Sequence, residues 1–253
     1  MRPHNYKVSH FVEIDSTNTQ VAVAARAGAL DGTVYWADFQ RAGRGRLDRV
    51  WEAPPGSCLM ASVLIREPKL ALDRIHAITA VVALSIVEAL GDLGIAGASM
   101  KWPNDVVVGE NKLAGVLAEL VDAPPHAAVV VGFGINVTFG GPPGARATSL
   151  EIMTGRSIDR AVLLDAILTR VATNRVLLRD EAGWVTLRHG IEAVLATIGQ
   201  DVTVELGDEQ VVGHAVGLSD KGYLLLDTEQ GRIEVVTGDL RHLRSTGSAE
   251  SGH

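Results

Sequence analysis

The spacing of hydrophobic and polar positions along the chain changes several times before residue 197. Apolar residues at positions 75, 78, 82, 86 and 90 form one helical stripe, which predicts a long helix capped by Asp73 and stopped at Gly91. Further predicted helices span 20–27, 159–179 and 184–195, and predicted strands span 7–14, 33–39, 57–66, 100–102, 106–108, 113–121 and 129–137. This order predicts an α+β fold, in which a mixed sheet is flanked by helices.

After residue 197 the chain changes to short apolar runs separated by turn residues. Strands are predicted at 201–206, 211–216, 223–226, 233–236 and 240–243. Such a run is typical of a small β-barrel. We therefore expect a larger first domain over residues 1–197, a small β domain over 198–245 and a disordered tail over 246–253.

The overall composition narrows the class of protein. The formal net charge of -7 argues against general nucleic-acid binding, which needs a broad basic face. We find no charge-free apolar run of membrane-spanning length and no apolar core of a signal peptide at the N-terminus. The single cysteine, Cys58, cannot form an internal disulfide. These features predict a cytoplasmic protein that does not bind membranes.

Residues 40–51, QRAGRGRLDRVW, stand out against this acidic balance; we name them the lid loop. They place four arginines around Gly43 and Gly45. Arginine offers a planar fork to carboxylates and phosphates, and glycine lets a backbone approach a ligand or change shape. A solvated surface turn is an equally good interpretation of the spacing alone. An RNA-binding arginine–glycine segment would repeat, and this one does not.

Three other polar segments are candidates for chemistry. Residues 101–115, KWPNDVVVGENKLAG, place Asp105 and Lys112 on the two arms of a predicted hairpin, where they would orient a phosphate ester. Residues 132–136, GFGIN, leave room for a ligand at the end of a buried strand, and residues 16–18 lie at a strand-to-helix turn. Plain turn chemistry, a strand-end bulge and an ordinary helix cap are the structural alternatives.

Taken together and in this order, the segments resemble the biotin–protein ligase family. The likeness rests on DSTN at 15–18, Gln40 with GRGR at 43–46 and Trp51, KWPND at 101–105 with KLAG at 112–115, GFGIN at 132–136 and GDL at 238–240. It implies a catalytic domain like that of class II aminoacyl-tRNA synthetases and an SH3-like barrel. It also implies two reactions, in which biotin and ATP form biotinyl-5′-AMP and a lysine of a biotin carboxyl carrier domain then takes the biotinyl group.

The resemblance assigns roles residue by residue. It makes Lys112, Arg46 and Asp105 the catalytic set, with Lys112 and Arg46 near the meeting point of biotin carboxylate and α-phosphate. The implied biotin-binding residues are Ser16, Thr17, Asn18, Gln40, Gly43, Arg44, Gly45, Arg46, Lys112 and Gly115. The implied adenylate-binding residues are Arg49, Trp51, Asn104, Asp105 and Asn136. Mg²⁺ is expected to arrive with ATP, without an assigned protein site, and the lid loop is expected to order over the ligands and shield the adenylate from water.

The expected partner is the carrier domain of acetyl-CoA or pyruvate carboxylase. The sequence does not decide between a monomer and a homodimer. Asp48 stands where the family loop often has glycine, and its carboxylate would pair with Arg49 or partly neutralise the lid loop. Some family members carry a helix-turn-helix domain that represses transcription. Because the first catalytic strand is predicted from residue 7, we expect no DNA binding by this chain.

Two other functions compete with this interpretation. A lipoate–protein ligase is the nearest alternative, and the GRGR and KWPND motifs favour biotin over lipoate. A catalytically silent sensor of biotinyl-AMP is the alternative from another class, and the intact Lys112 and Arg46 argue against it. A nucleic-acid regulator is the weakest alternative, given the charge.

Overall fold

The computed structural model describes residues 6–47, 49–66, 75–122, 128–206, 209–236 and 238–242. The expected helix cap Asp73, the lid residue Asp48 and the expected disordered tail at 246–253 lie outside these residues. The described segments form a mixed sheet with helices, followed by a smaller antiparallel sheet.

The mixed sheet has the spatial order β1-β2-β3-β7-β6-β5-β4. Only the β1–β2 pair is parallel among its neighbouring strands, because helix α1 carries the chain back between them. The predicted mixed sheet is thereby confirmed. Its strands are β1 Lys7–Ile14, β2 Thr33–Gln40, β3 Cys58–Arg66, β4 Ala98–Lys101, β5 Asp105–Val108, β6 Asn111–Asp122 and β7 Ala128–Asn136.

Strand β3 lies between β2 and β7 in this sheet and is covered on both faces. Leu64 packs with Val21 of α1 on one face, whereas Leu59 and Val63 belong to the larger core cluster on the other. A strand buried on both sides has a continuous apolar sequence rather than an alternating one. The polar exception is Ser62, which is fully buried and faces the beginning of α1.

The helices differ from the sequence prediction mainly at their ends. Helix α1 begins at Thr17, three residues before its predicted start, because Ser16 is its N-cap and accepts a hydrogen bond from the Thr19 amide. The predicted stop at Gly91 was wrong: α2 runs through this glycine, and the turn falls at Gly94, whose φ is +72°. The helices are α1 Thr17–Arg26, α2 Ile75–Asp92, α3 Leu150–Thr154, α4 Arg160–Val176 and α5 Glu181–Val194.

The second sheet has five antiparallel strands in the order β11-β10-β9-β8-β12. Its buried side chains join the same hydrophobic cluster as the mixed sheet and its helices. Polar contacts reinforce this packing: the indole Nε1 of Trp184 donates to Asp220 O at 2.6 Å, and the Leu218 amide donates to Glu192 Oε1 at 2.9 Å. The strands are β8 Asp201–Leu206, β9 Glu209–Leu218, β10 Leu224–Thr228, β11 Gly231–Val235 and β12 Asp239–His242.

None of the helices in the described segments combines the length and the apolar character needed to cross a membrane.

Asp38 of β2 connects strands β1 and β2 to the beginning of α4 through polar contacts. Its Oδ1 accepts a hydrogen bond from Arg160 Nη2 at 2.7 Å and lies 3.1 Å from His10 Nε2, and Arg160 also donates to the Cys58 carbonyl. Partial burial raises the pKa of Asp38, but the hydrogen bonds from His10 and Arg160 outweigh burial and bring the pKa below its ordinary value. The ionised form therefore stabilises the folded chain.

We expect Asp38→Asn to lower the free energy of unfolding by about 1–2 kcal/mol at pH 7, because a charge-assisted hydrogen bond is lost. Since the folded-state pKa is depressed, this stabilisation is present above the unfolded-state pKa of about 4 and disappears as the pH falls through the lower folded value. Urea unfolding of both proteins from pH 7 down to about pH 3.5 measures the difference. Asp220→Asn, on an almost fully exposed carboxylate, is the control. A loss that stays constant across this range would contradict the assignment.

Candidate active site

A cavity of about 360 Å³ opens between the mixed sheet, the lid loop and strand β12 of the second sheet. It is bounded by the beginning of α1, the end of β2, the turn between β4 and β5, and the middle of β6 and β7. Most of the residues predicted for the site line it: Ser16, Thr17, Asn18, Gln40, Arg44, Gly45, Arg46, Arg49, Trp51, Asn104, Asp105, Lys112 and Gly115.

Neutral hydrogen-bonding groups gather at the beginning of α1. The Thr17 amide and hydroxyl both donate to Gln40 Oε1, at 2.7 and 3.1 Å. The Ser62 hydroxyl lies 2.7 Å from Thr17 Oγ1 and 2.6 Å from Asn18 Oδ1, and its single proton can serve only one of them at a time. These three side chains and the Ser62 hydroxyl therefore offer both donors and acceptors, and all of them are neutral.

The lid loop forms a narrow turn over the cavity. Arg44 and Val50 form an antiparallel bridge, the Gly45 amide donates to Arg49 O at 2.7 Å, and the Trp51 amide donates to Gly43 O at 3.0 Å. A side chain at Gly43 would place its Cβ 2.3 Å from Trp51 O, so this close approach requires glycine. Gly43 shapes the loop and is not among the residues that line the cavity.

Each of the three lid arginines that line the cavity reaches an acceptor outside the loop. Arg44 donates to Glu119 at 2.7 Å, and Arg49 forms an ion pair with Asp239 of β12. Arg46 donates to Asn104 Oδ1 and to Gly238 O, each at 3.1 Å. The lid loop thus bridges the mixed sheet and the second sheet.

The hairpin of β5 and β6 places Lys112 beside Asp105. Lys112 Nζ lies 2.7 Å from Asp105 Oδ1 and 5.8 Å from the ring centroid of Trp51. Gly115 is opposite Asp105 in the strand register, and a Cβ there would lie 3.2 Å from Lys112 Nζ. The small residue leaves the space that the lysine side chain occupies.

Arg46 and Lys112 come from distant segments and line one cavity. Burial lowers the pKa of the Arg46 guanidinium, while nearby Asp239 and Asp105 act in the opposite direction. A half-buried guanidinium and an ammonium at the same cavity form a site suited to a ligand that carries negative charge.

Trp51 covers strand β7, where glycine is again required. A Cβ at Gly134 would lie 2.6 Å from the indole ring, so the ring rests directly on the strand backbone. The indole presents a flat aromatic surface to the cavity, of the kind that stacks on a planar ligand.

Asn136 lies apart from the other predicted residues. It is buried, is not among the residues that line the cavity, and its Nδ2 donates to Thr148 O at 2.9 Å and to Lys112 O at 3.4 Å. Its side chain therefore holds the backbone at Thr148 and Lys112, and its Oδ1 accepts from Cys58 Sγ.

The sequence analysis missed Ser62, Glu119 and Asp239 as parts of this site. Ser62 and Glu119 are polar residues inside apolar strands, and this interruption was the available signal. Asp239 reaches the lid loop only because the two sheets pack together, which no local pattern indicates.

Two family models match the chain. The model of the Biotin/lipoate A/B protein ligase family matches residues 11–136, and that of the Biotin protein ligase C terminal domain matches residues 197–241.

Individual relatives agree with these models. The chain is 33% identical over 235 residues to the biotin–[acetyl-CoA-carboxylase] ligase of Mycobacterium tuberculosis, with 90% of this chain and 86% of that protein covered. It is 30% identical over 235 residues to the bifunctional ligase/repressor BirA of Bacillus spizizenii, with 90% and 71% covered. The biotin protein ligase of Aquifex aeolicus, solved with biotin and ATP, is 33% identical with a TM-score of 0.82, covering 96% of this chain and 100% of that chain. The chain therefore belongs to the biotin protein ligase family.

Proposed function

We propose that this protein activates biotin with ATP as biotinyl-5′-AMP and transfers the biotinyl group to a lysine of a biotin carboxyl carrier domain. The observation that carries the proposal is the convergence of Arg46 and Lys112 on one cavity that also contains a network of neutral hydrogen-bonding groups around Thr17. Biotin has two parts that match these groups: a carboxylate for the cationic side chains and a ureido ring for the neutral hydrogen-bonding groups. The Aquifex aeolicus relative was solved with biotin and ATP, which supports this pair of ligands.

In the first reaction, a carboxylate oxygen of biotin attacks the α-phosphorus of ATP, the bond to the bridging oxygen breaks and pyrophosphate leaves. Two anions must approach each other, and fixed positive charge at their meeting point offsets the repulsion. We assign this role to Lys112 and Arg46. In the resting protein Asp105 holds the Lys112 ammonium, so the lysine is already positioned before the ligands bind.

In the second reaction, the amine of the carrier lysine attacks the acyl carbon, an amide bond forms and AMP leaves. The attacking amine must be neutral, so a proton has to be accepted near the acyl carbon. Asp105 is our candidate for guiding the amine and accepting its proton, since its carboxylate lines the cavity beside Lys112.

The remaining roles follow the chemistry of each wall. We assign the ureido ring to the neutral network around Thr17, Asn18 and Gln40, because a cyclic urea both donates and accepts hydrogen bonds. We assign the adenine to the face of Trp51. Asn136 is proposed to act through the Lys112 backbone.

Mg²⁺ is proposed to enter with the triphosphate. Asp105 and Asp239 bring carboxylate oxygens, the ligand type that Mg²⁺ prefers, to the cavity wall. Across the described ranges no three His, Cys, Asp or Glu side chains form a metal-binding group, so phosphate oxygens and water would complete the coordination. When bound, the ion would neutralise phosphate charge during attack on the α-phosphorus.

The finer structural and cellular assignments are part of the same proposal. We propose a class II synthetase-like catalytic domain over residues 1–197 and an SH3-like barrel over 198–245, supported by the mixed sheet and the five short antiparallel strands. Relatives named as acetyl-CoA-carboxylase ligases support a carboxylase carrier domain as acceptor. We also propose that the protein is cytoplasmic and binds neither membranes nor DNA. We assign no oligomeric state, and a homodimer is compatible with the proposal.

We expect Lys112→Ala to slow biotin-dependent ATP–pyrophosphate exchange by at least about 100-fold, because one fixed charge at the reacting phosphate is lost. Lys221→Ala, on an exposed turn of the second sheet, should leave exchange unchanged. Exchange by the Lys112→Ala protein within twofold of wild type would refute the assignment. Exchange with lipoate but not with biotin would favour the alternative ligase.

Asp105→Asn should slow transfer from purified biotinyl-5′-AMP to the carrier domain by at least about 10-fold, since the amide cannot accept the amine proton. Transfer is followed by streptavidin blotting, and Asp220→Asn is the control. Because Asp105 also holds Lys112, the exchange reaction is measured on the same variant. Unchanged transfer would count against the role, whatever the effect on exchange.

Gly134→Ala should raise the KM for ATP in the exchange reaction by about 10-fold, because the added methyl group displaces the Trp51 ring from the strand. Gly190→Ala is the matched control, because its Cβ would meet only Leu84 at an ordinary 3.6 Å. An unchanged KM for ATP would remove Trp51 from the adenine wall.

A further inference from the structure

Glu119 is a charged residue in the second half of strand β6, where the strand register pairs it with Val130 of β7. It lies two residues beyond Leu117 and four beyond Gly115, so all three face the same side of the sheet. Leu117 and Gly115 line the cavity. Glu119 therefore stands at the margin of the cavity, and no step proposed above uses it.

A single oxygen of this carboxylate serves two parts of the site. Glu119 Oε2 accepts a hydrogen bond from Asn18 Nδ2 at 2.7 Å and another from Arg44 Nη2 at 2.7 Å. Asn18 comes from the first turn of α1, and Arg44 comes from the lid loop. The carboxylate thus joins the wall assigned to the ureido ring to the loop that covers it.

The orientation of the Asn18 amide depends on this contact. Its Oδ1 lies 2.6 Å from the Ser62 hydroxyl, and its Nδ2 faces two acceptors, Glu119 and the Leu117 carbonyl at 3.3 Å. The side chain is also confined, because a Cβ at Gly132 would lie 2.1 Å from Oδ1. A buried amide held by acceptors on one side has one favoured orientation.

The charge of Glu119 matters separately for Arg44. A carboxylate accepts the guanidinium and the amide together, since all of its lone pairs are acceptors. A glutamine has almost the same shape, but it is neutral and half of its terminal group donates. Replacing Glu119 by glutamine therefore weakens both contacts with little change in volume.

We propose that Glu119 is a positioning residue, which fixes the Asn18 amide and holds Arg44 over the cavity so that biotin is bound in a preorganised site. The proposal rests on the proposed function for its ligand. Glu119 acts through Asn18 and Arg44 and takes no part in the bonds that form or break. Its loss should therefore affect biotin binding and leave the chemical step largely intact.

The chain contains a closely matched control. Glu88 of α2 accepts a hydrogen bond from Asn174 Nδ2 at 2.8 Å and lies 3.9 Å from Arg170 Nη1. Both glutamates are 31% exposed, so Glu88→Gln makes the same chemical change in a similar setting away from the cavity.

The test compares Glu119→Gln with Glu88→Gln in the biotin-dependent exchange reaction. We expect Glu119→Gln to raise the KM for biotin by about 5–20-fold, with kcat and the KM for ATP changed less than about threefold. Glu88→Gln should leave all three within twofold. In an Arg44→Gln background, the fold-increase in the KM for biotin caused by Glu119→Gln should be less than half of that in the wild-type background. The reason is that the contact between Glu119 and Arg44 is already lost. Glu119→Asp, which keeps the charge, should recover part of the loss.

Calorimetric titration of biotin without ATP separates this proposal from the proposed function. If the wild-type protein binds biotin but does not catalyse exchange, the proposed function fails. The dissociation constants of the two variants for biotin still test the positioning role of Glu119 in that case. Equal biotin affinities for Glu119→Gln and Glu88→Gln would overturn the positioning role. An equal loss of kcat in both variants, accompanied by equal falls in Tm, would overturn it too, because it would indicate a general effect of the lost charge on folding.

Discussion

The cavity depends on one electrostatic constraint: positive side chains must be held close together before any anion is present. Burial and the neighbouring Arg49 both disfavour the charge on Arg46, so the cations that line this cavity need counter-charges. Asp105 lies 2.7 Å from the Lys112 ammonium, and Asp239 forms an ion pair with Arg49 and acts on Arg46 through space. The resting site is therefore balanced by its own carboxylates. A phosphorylated ligand would enter this arrangement by competing with groups already in place, which favours a ligand of high negative charge over weakly charged ones.

The second requirement is space beside the sheet. Gly132 and Gly134 of β7 lie so close to Asn18 and Trp51 that a larger residue would displace those side chains. Gly115 likewise leaves space for the Lys112 side chain. Glycine weakens a strand, but β7 lies between β3 and β6, where neighbouring strands and buried side chains support it. The apolar centre of the sheet thus stabilises β7, in which glycines replace side chains that would pack and so leave space for the site.

Much of the fold could be predicted because it is locally encoded. Apolar runs located the strands of the mixed sheet, and the hairpin predicted between 106–108 and 113–121 is present, although β6 already begins at Asn111. The ends of helices were not predicted, since α2 passes through Gly91. The short helix α3 was also missed, because it has too few residues to show a period. The motifs located most of the cavity wall. They did not include Glu119, and they gave Asp239 of the GDL motif no role in the site, because the partners of these residues lie 75 and 190 positions away in the chain.

The contact between the lid loop and strand β12 also has a consequence for how the protein is made. Arg49 and Asp239 are 190 positions apart, so the loop emerges from the ribosome long before its anchor has been synthesised. During that interval the basic turn lacks this support. Completion of the ligand site is therefore a late event in biosynthesis, because it requires strand β12.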